Sequence, residues 1–509
     1  MFGHHLATAR RLFATAAVIV AFTSTAHAQV TWTGTSAANV LWGSNSNWSA
    51  TPNFSSTTND LVFTNNGALT TSTNNVTSGT IRNLTFDASG FALWGSGNTT
   101  TVTGTLRNNA STGTNAINYD MNLAFGANTT WTGTIGSTTV FGGNLSGLAG
   151  RTLTLSNSGS TAGSGTTTFV LAGSNSIAST GTIYPRVASN SGTNTIVVNL
   201  NANGALGNGR LLFGTSLIRV ANTSGSAVNA GGSIQLGGPD SQSYGSLNFD
   251  NTDAITTGTL FSYNNAAAYP TIVLNGAPLT VSAIAVVNAG ANLYKSGTGT
   301  LVIDGGSPGF NTYFRLARIA GSTVLLGATN SLGSGTLGFY DALTGGSGAA
   351  IGAVRDLTAG AGVPNPIYLE GSAGNTSYAI FTGSNSMKFS GNVSTNYGSN
   401  VAGAEIRFNT SNGAITTLSG TLALSSTTAN AGVPFLLAGS GNARIEGPII
   451  RPSGSANYAL MLSKGGVNTI SLSASNSWNS GTTTVRNGVL RLDHEFALRV
   501  RRRPVGVDD

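Results

Sequence analysis

Short runs in which apolar residues alternate with hydroxyl or small residues recur along this chain, and they restrict it to strands. Leu153-Thr154-Leu155, Leu279-Thr280-Val281, Leu301-Val302-Ile303 and Leu422-Ala423-Leu424 each lie near Gly, Ser or Asn turn residues, and each suffices for one strand of a few residues. Helical patterning is almost absent after Gln29, because Glu, Lys and Arg do not recur at i, i+4 beside an apolar face. Gly-Thr-Leu opens such runs five times, at Gly104, Gly258, Gly299, Gly335 and Gly420. Longer echoes are more specific: Leu206-Gly207-Asn208-Gly209-Arg210-Leu211 returns as Leu332-Gly333-Ser334-Gly335-Thr336-Leu337, and Gly165-Thr166-Thr167-Thr168-Phe169 as Gly481-Thr482-Thr483-Thr484-Val485. The repeat has no fixed period, the pattern of a solenoid whose coils differ in loop length.

Such a chain must be stabilised by stacking. It holds no cysteine, so no disulfide contributes. Residues 1–28 read as an export signal: Arg10 and Arg11, an apolar run from Leu12 to Phe22, then Ala26-His27-Ala28 before Gln29. The general secretory route is expected over the twin-arginine one, because Arg10-Arg11-Leu12-Phe13 lacks the flanking residues of a twin-arginine signal. Cleavage leaves about 480 residues, more than one undivided core usually holds. No further apolar stretch has the length of a transmembrane segment, so the product is expected to be exported to the cell surface or beyond.

Charge narrows the partners. Charged residues make up 8% of the chain, where about 25% is usual. The formal charge of +7 falls to +5 without Arg10 and Arg11, and to +3 for Gln29 to Leu498. A body this neutral, with no basic stripe, is not built for nucleic acid. Disorder is also disfavoured, since Val, Ile, Leu and Phe are scattered throughout.

From Leu462 to Leu492 the sequence resembles the passenger domains of bacterial autotransporters that carry the autotransporter-associated (passenger-associated) β-strand repeat. Lys464, Gly466, Thr469, Ile470 and Leu472 are similar to the repeat's opening strand. Asn476 and Trp478 are similar to its turn, and Gly481 to Val485 with Gly488-Val489-Leu490-Arg491-Leu492 to its closing strands. A second copy runs from Lys295-Ser296-Gly297-Thr298-Gly299-Thr300-Leu301 to Gly321-Ser322-Thr323-Val324-Leu325-Leu326-Gly327. Two of the three lysines in the chain occupy the opening position.

The resemblance implies an all-β, right-handed parallel β-helix or solenoid with irregular coils. Its expected divisions are a cap and first coils at 29–95, a solenoid at 96–492 with its clearest repeats at 293–327 and 462–492, and an atypical tail at 493–509. Relatives of this kind continue into an outer-membrane barrel or an anchor, so the tail is expected to mark a truncated or misread end. Coils of about 20 residues rising about 4.8 Å each would give a rod on the order of 100 Å long. Trp32, Trp42 and Trp48 are expected to cap the first rung; sugar stacking is the rival role.

The chemistry-bearing residues are few. His4, His5 and His27 leave with the signal, so His494 is the only imidazole that stays, too few for a triad or a zinc site. Asp493-His494-Glu495 reads as a solvated chain end, Asp250-Asn251-Thr252-Asp253 as a polar turn in preference to a calcium loop, and Gly333 to Gly338 as an accidental match to a dinucleotide fingerprint. No catalytic, cofactor-binding or metal-ligating residue is assigned.

The expected function is non-enzymatic adhesion or surface presentation, with surface polysaccharide, other cell-surface components or further copies of the chain as partners. The alternative is a β-helix polysaccharide lyase or glycosidase. It would need carboxylates stacked on one face, with Asp60 and Asp87, or Asp341, Asp356 and Glu370, as the candidates.

Overall fold

The computed structural model describes residues 29–498, except 36–39, 56, 65–68, 119, 159–163, 188–193, 214–217, 238–245, 263–269, 287–291, 318–321, 341–348, 372–375, 398–402, 425–432, 451–459 and 478–482. Residues 1–28, Asp341, Trp478, Gly481, Thr482 and residues 499–509 lie outside the described residues. Within them the only helix is a single 3-10 turn, Asn45–Asn47. The rest is a parallel β-solenoid.

Its spine is a 19-stranded ladder. Each strand from Gln29–Trp32 to Thr483–Val485 pairs in parallel with the strand one coil earlier and one coil later. At about 4.8 Å per rung the stack is about 90 Å long. A second ladder of 16 strands runs from Thr71–Thr73 to Ile449–Ile450. Two shorter ladders complete the sides, one of four strands from Ser78–Ile81 to Leu145–Ser146, the other of five from Met387–Phe389 to Val489–Leu492. Coil length varies from 20 residues between Thr469 and Val489 to 31 between Phe408 and Gly439.

The short ladders lie on opposite sides of the long one in chain order: the four-strand one precedes it in each coil and the five-strand one follows it. Three long strands account for this. Val228–Leu236, Ile255–Ser262 and Leu279–Val286 each turn a corner in mid-strand. Their second halves continue the ladder below, through Leu211, Ile234, Leu260 and Ile284. Their first halves found the ladder above, through Leu279 with Leu301 and Val281 with Ile303.

The four-strand side joins these first halves by way of the backbone bond from Ser176 to Leu145 and that from Leu206 to Ala230. The second halves pass on through the Ile284 N–H, which donates to Ser307 Oγ at 2.8 Å. The molecule is thus a three-sided prism throughout, and the long ladder moves from one side to the next at these three strands.

Alternation fills the interior. In strands such as Thr152–Asn157 every second residue is buried. The inward residues stack as apolar columns, one of them Leu293, Phe314, Leu337, Ile367, Val393, Leu422 and Ile449, all 1% exposed or less. Burying each such side chain stabilises by about 1.5–3 kcal/mol. The leucines of all five Gly-Thr-Leu triplets are buried, although Gly258 lies inside its strand, at the corner, and does not open it.

Corners are sealed by buried asparagines. Asn175 accepts from the Leu145 N–H and donates to the Ala205 carbonyl, and Asn476 does the same for Ile449 and Ala497. Each thereby satisfies backbone groups that leave the ladder at a bend.

The two ends differ. Trp32, Trp42 and Trp48 pack with Phe54 and Phe63 over the first rung; the Trp32–Trp48 centroids are 5.0 Å apart, and Trp42 stacks on Phe54 at 5.7 Å. The Trp48 indole donates to the Trp42 carbonyl and the Trp42 indole to Ser72 Oγ. All three tryptophans are 5% exposed or less, so they cap the prism and present no face to a sugar. At the far end Val485 and Leu492 are about half exposed, while Lys464 and Leu472 beneath them are buried.

Candidate functional site

The two lysines of the repeat motif point inward. Lys295 takes a place in an apolar column between Ile272 and Leu316, and is 0% exposed. Its ammonium donates to the Gly297 carbonyl (2.9 Å), the Gly299 carbonyl (2.5 Å) and Ser322 Oγ (2.9 Å), which uses all three of its hydrogens. Burial pushes Lys295 down to about 7. Lys464 does the same between Leu437 and Val485, donating to the carbonyls of Gly465, Gly466 and Asn487 and to Asn468 Oδ1; burial lowers its pKa as well.

In both motifs the second residue after the lysine is a glycine with positive φ, +79° at Gly297 and +77° at Gly466, seated where a Cβ would collide with the carbonyl of the coil below. The motif is a corner brace, with no access for a substrate.

The acids do not gather into a catalytic site among the described residues. Asp60 and Asp87 do line one depression of about 390 Å³, together with Gln29, Asn83, Thr85, Arg107 and Asn109. Asp60, however, is paired with Arg82 and accepts from Asn83 Nδ2 at 2.9 Å, and Asp87 accepts from Asn109 at 2.8 Å. Because Asp60 is in register with Asn83, Asp87 stands four residues along and one rung away, about 14 Å from Asp60 at the backbone.

Asp356 accepts from the hydroxyl and backbone N–H of Thr358, which hold its pKa below the usual range. Glu370 lies in strand Ile367–Gly371, a different part of the coil.

The remaining candidates are also engaged elsewhere. Asp250 pairs with Arg219 at 3.0 Å and accepts from Asn275, whereas Asp253 accepts from the Gly225 N–H and Thr252 Oγ1, so the two do not converge on an ion. Asp493 pairs with Arg491, and His494 Nδ1 accepts from the Phe496 N–H. No group of three His, Cys, Asp or Glu is placed to hold a metal among the described residues. Gly333 is a corner between strands, with no helix to receive a phosphate.

One surface cluster had no sequence signal, because only the register assembles it. On the outer face of the 16-strand ladder, Tyr294, Arg315, Gly338 and Tyr368 occupy one column on four consecutive strands. The Arg315 guanidinium lies 5.3 Å from the Tyr294 ring centroid and 4.7 Å from that of Tyr313, and bonds the Tyr294 hydroxyl. Tyr313 reaches diagonally over Gly338, where a Cβ would strike its ring, and meets Tyr368 edge to face at 6.2 Å. All four side chains are half-buried.

These observations define a class, the parallel β-solenoids with a capped first rung. The chain matches no family model, no curated protein and no solved structure. Among the described residues no helix is long and apolar enough to cross a membrane.

Proposed function

We propose that this chain is an exported, non-enzymatic rod of the autotransporter-passenger kind, serving adhesion or surface presentation. The observation that carries the reading is the unbroken 19-strand ladder, whose outer columns are largely uncharged, with Thr, Ser, Asn and Gln beside apolar residues such as Leu212, Phe261 and Leu325, in a rod whose ion pairs link near neighbours. A column such as Thr130, Thr154 and Tyr184 offers hydrogen bonds without net charge, which suits glycans or further copies of the chain.

Binding to cell-surface polysaccharide that survives 0.5 M salt, roughly a fourfold shorter screening length than at low salt, supports it; binding abolished at moderate salt refutes it. The lyase or glycosidase reading predicts new reducing ends or unsaturated products when the protein is incubated with polysaccharide. The engagement of Asp60 by Arg82 and Asn83, and of Asp87 by Asn109, favours the rod.

A further inference from the structure

The tyrosine cluster is the feature that a purely structural rod leaves unused. Three of the twelve tyrosines lie within four successive rungs of one outer face, about 14 Å from Tyr294 to Tyr368. Each has a hydroxyl residue beside it on an adjoining rung: Thr271 beside Tyr294, Thr336 beside Tyr313, and Ser394 beside Tyr368. Gly338 matters to this arrangement. Any side chain there would push Tyr313 away from Arg315 and Tyr368, and the absence of one lets the ring settle across the sheet.

We infer that Tyr294, Tyr313 and Tyr368 form a stacking platform for a short stretch of neutral polysaccharide running along the rod axis. The chemistry of the occupant follows from the pairing of ring with hydroxyl. A pyranose presents C–H groups on its face and hydroxyls at its rim, and here a phenol ring lies beside a Thr or Ser at each of three positions. Arg315 acts as a positioning residue: its guanidinium bridges Tyr294 and Tyr313 and fixes their spacing. The inference rests on the reading of the rod as a glycan-binding surface and assigns that binding a place.

The test is affinity electrophoresis of the whole chain in gels containing a neutral β-glucan, a neutral α-glucan, a mannan or polygalacturonate, with variants Tyr294→Ser/Tyr368→Ser, Tyr294→Phe/Tyr368→Phe, Gly338→Val and, as an off-site aromatic control at the other end of the same ladder, Trp94→Ser. Circular dichroism confirms that each variant keeps its β-structure. The expected result is retardation of the wild type by at least one neutral polymer, weakened roughly tenfold in the double serine variant and kept in the double phenylalanine variant and the control. Gly338→Val is expected to weaken binding with both outer tyrosines still present.

If the wild type is retarded and the double serine variant is retarded equally, the platform is wrong while the glycan-binding rod stands. If no polymer retards the wild type, the glycan reading and the platform fall together. Retardation by polygalacturonate alone, lost in salt, would replace stacking by a charge-centred site and overturn the inference.

Discussion

Replacing Lys295 by methionine tests the corner brace. The substitution keeps an unbranched chain of similar length inside the apolar column but removes all three donors. The Gly297 and Gly299 carbonyls then remain in the interior without their partner, at about 1–3 kcal/mol each, while the Ser322 hydroxyl can rotate toward another acceptor. The apolar replacement recovers about 1 kcal/mol of burial. The net expectation is a local loss of about 3 kcal/mol.

A solenoid of this length need not unfold in one step, so a melting temperature is a poor reporter. Amide hydrogen exchange resolved along the chain is better. Protected amides in Leu293–Ser296, Thr300–Ile303 and Thr323–Leu326 should exchange about a hundredfold faster, and those in Thr129–Gly133 should be unchanged. Exchange in the Lys295 coils at or below the wild-type rate would refute the brace.

The same group gives a pH dependence. With the Lys295 pKa near 7 in the fold and 10.5 as its ordinary value, the unfolded chain holds more protons between those limits. Protection of the Lys295 coils should therefore rise by a few kcal/mol from pH 7 toward pH 10, and the rise should be absent in Lys295→Met. Gly297→Ala should destabilise the same coils by more than about 2 kcal/mol, because it combines a left-handed backbone with a collision against the Leu274 carbonyl; urea-dependent proteolysis between 274 and 326 would show it. Trp42→Ala should cost about 3–5 kcal/mol at the first rungs only, seen as faster exchange in Asp60–Phe63 and Asn83–Phe86 with the distant coils intact.

Much of the architecture was legible from local pattern. Alternation around Leu153, Leu279, Leu301 and Leu422 marks strands because each strand buries one face. The density of tryptophan before Ser49 marks the cap, since an open end must be covered.

What local pattern could not convey is register. The echo of Leu206–Leu211 at Leu332–Leu337 leads into the 19-strand ladder in one case and the 16-strand ladder in the other. Lys295 precedes a strand of the long ladder, whereas Lys464 precedes one of the five-strand ladder. The Thr-rich pair at 166–171 and 483–485 also falls on different ladders. These similarities report how a bend is made, not which turn it belongs to, and a period sought in them does not exist. The tyrosine platform was hidden for the same reason: Tyr294 and Tyr368 fall in one column only through strands of unequal spacing.

The bends carry their own plugs, a lysine or an asparagine, and work at any vertex of the triangular cross-section. The module that can be gained or lost is therefore one side of the triangle, smaller than a full circuit. Such a change would keep the core sealed yet swing every surface row beyond it onto the adjacent flank. Two chains sharing nearly all their residues could then display their binding stripes in different directions.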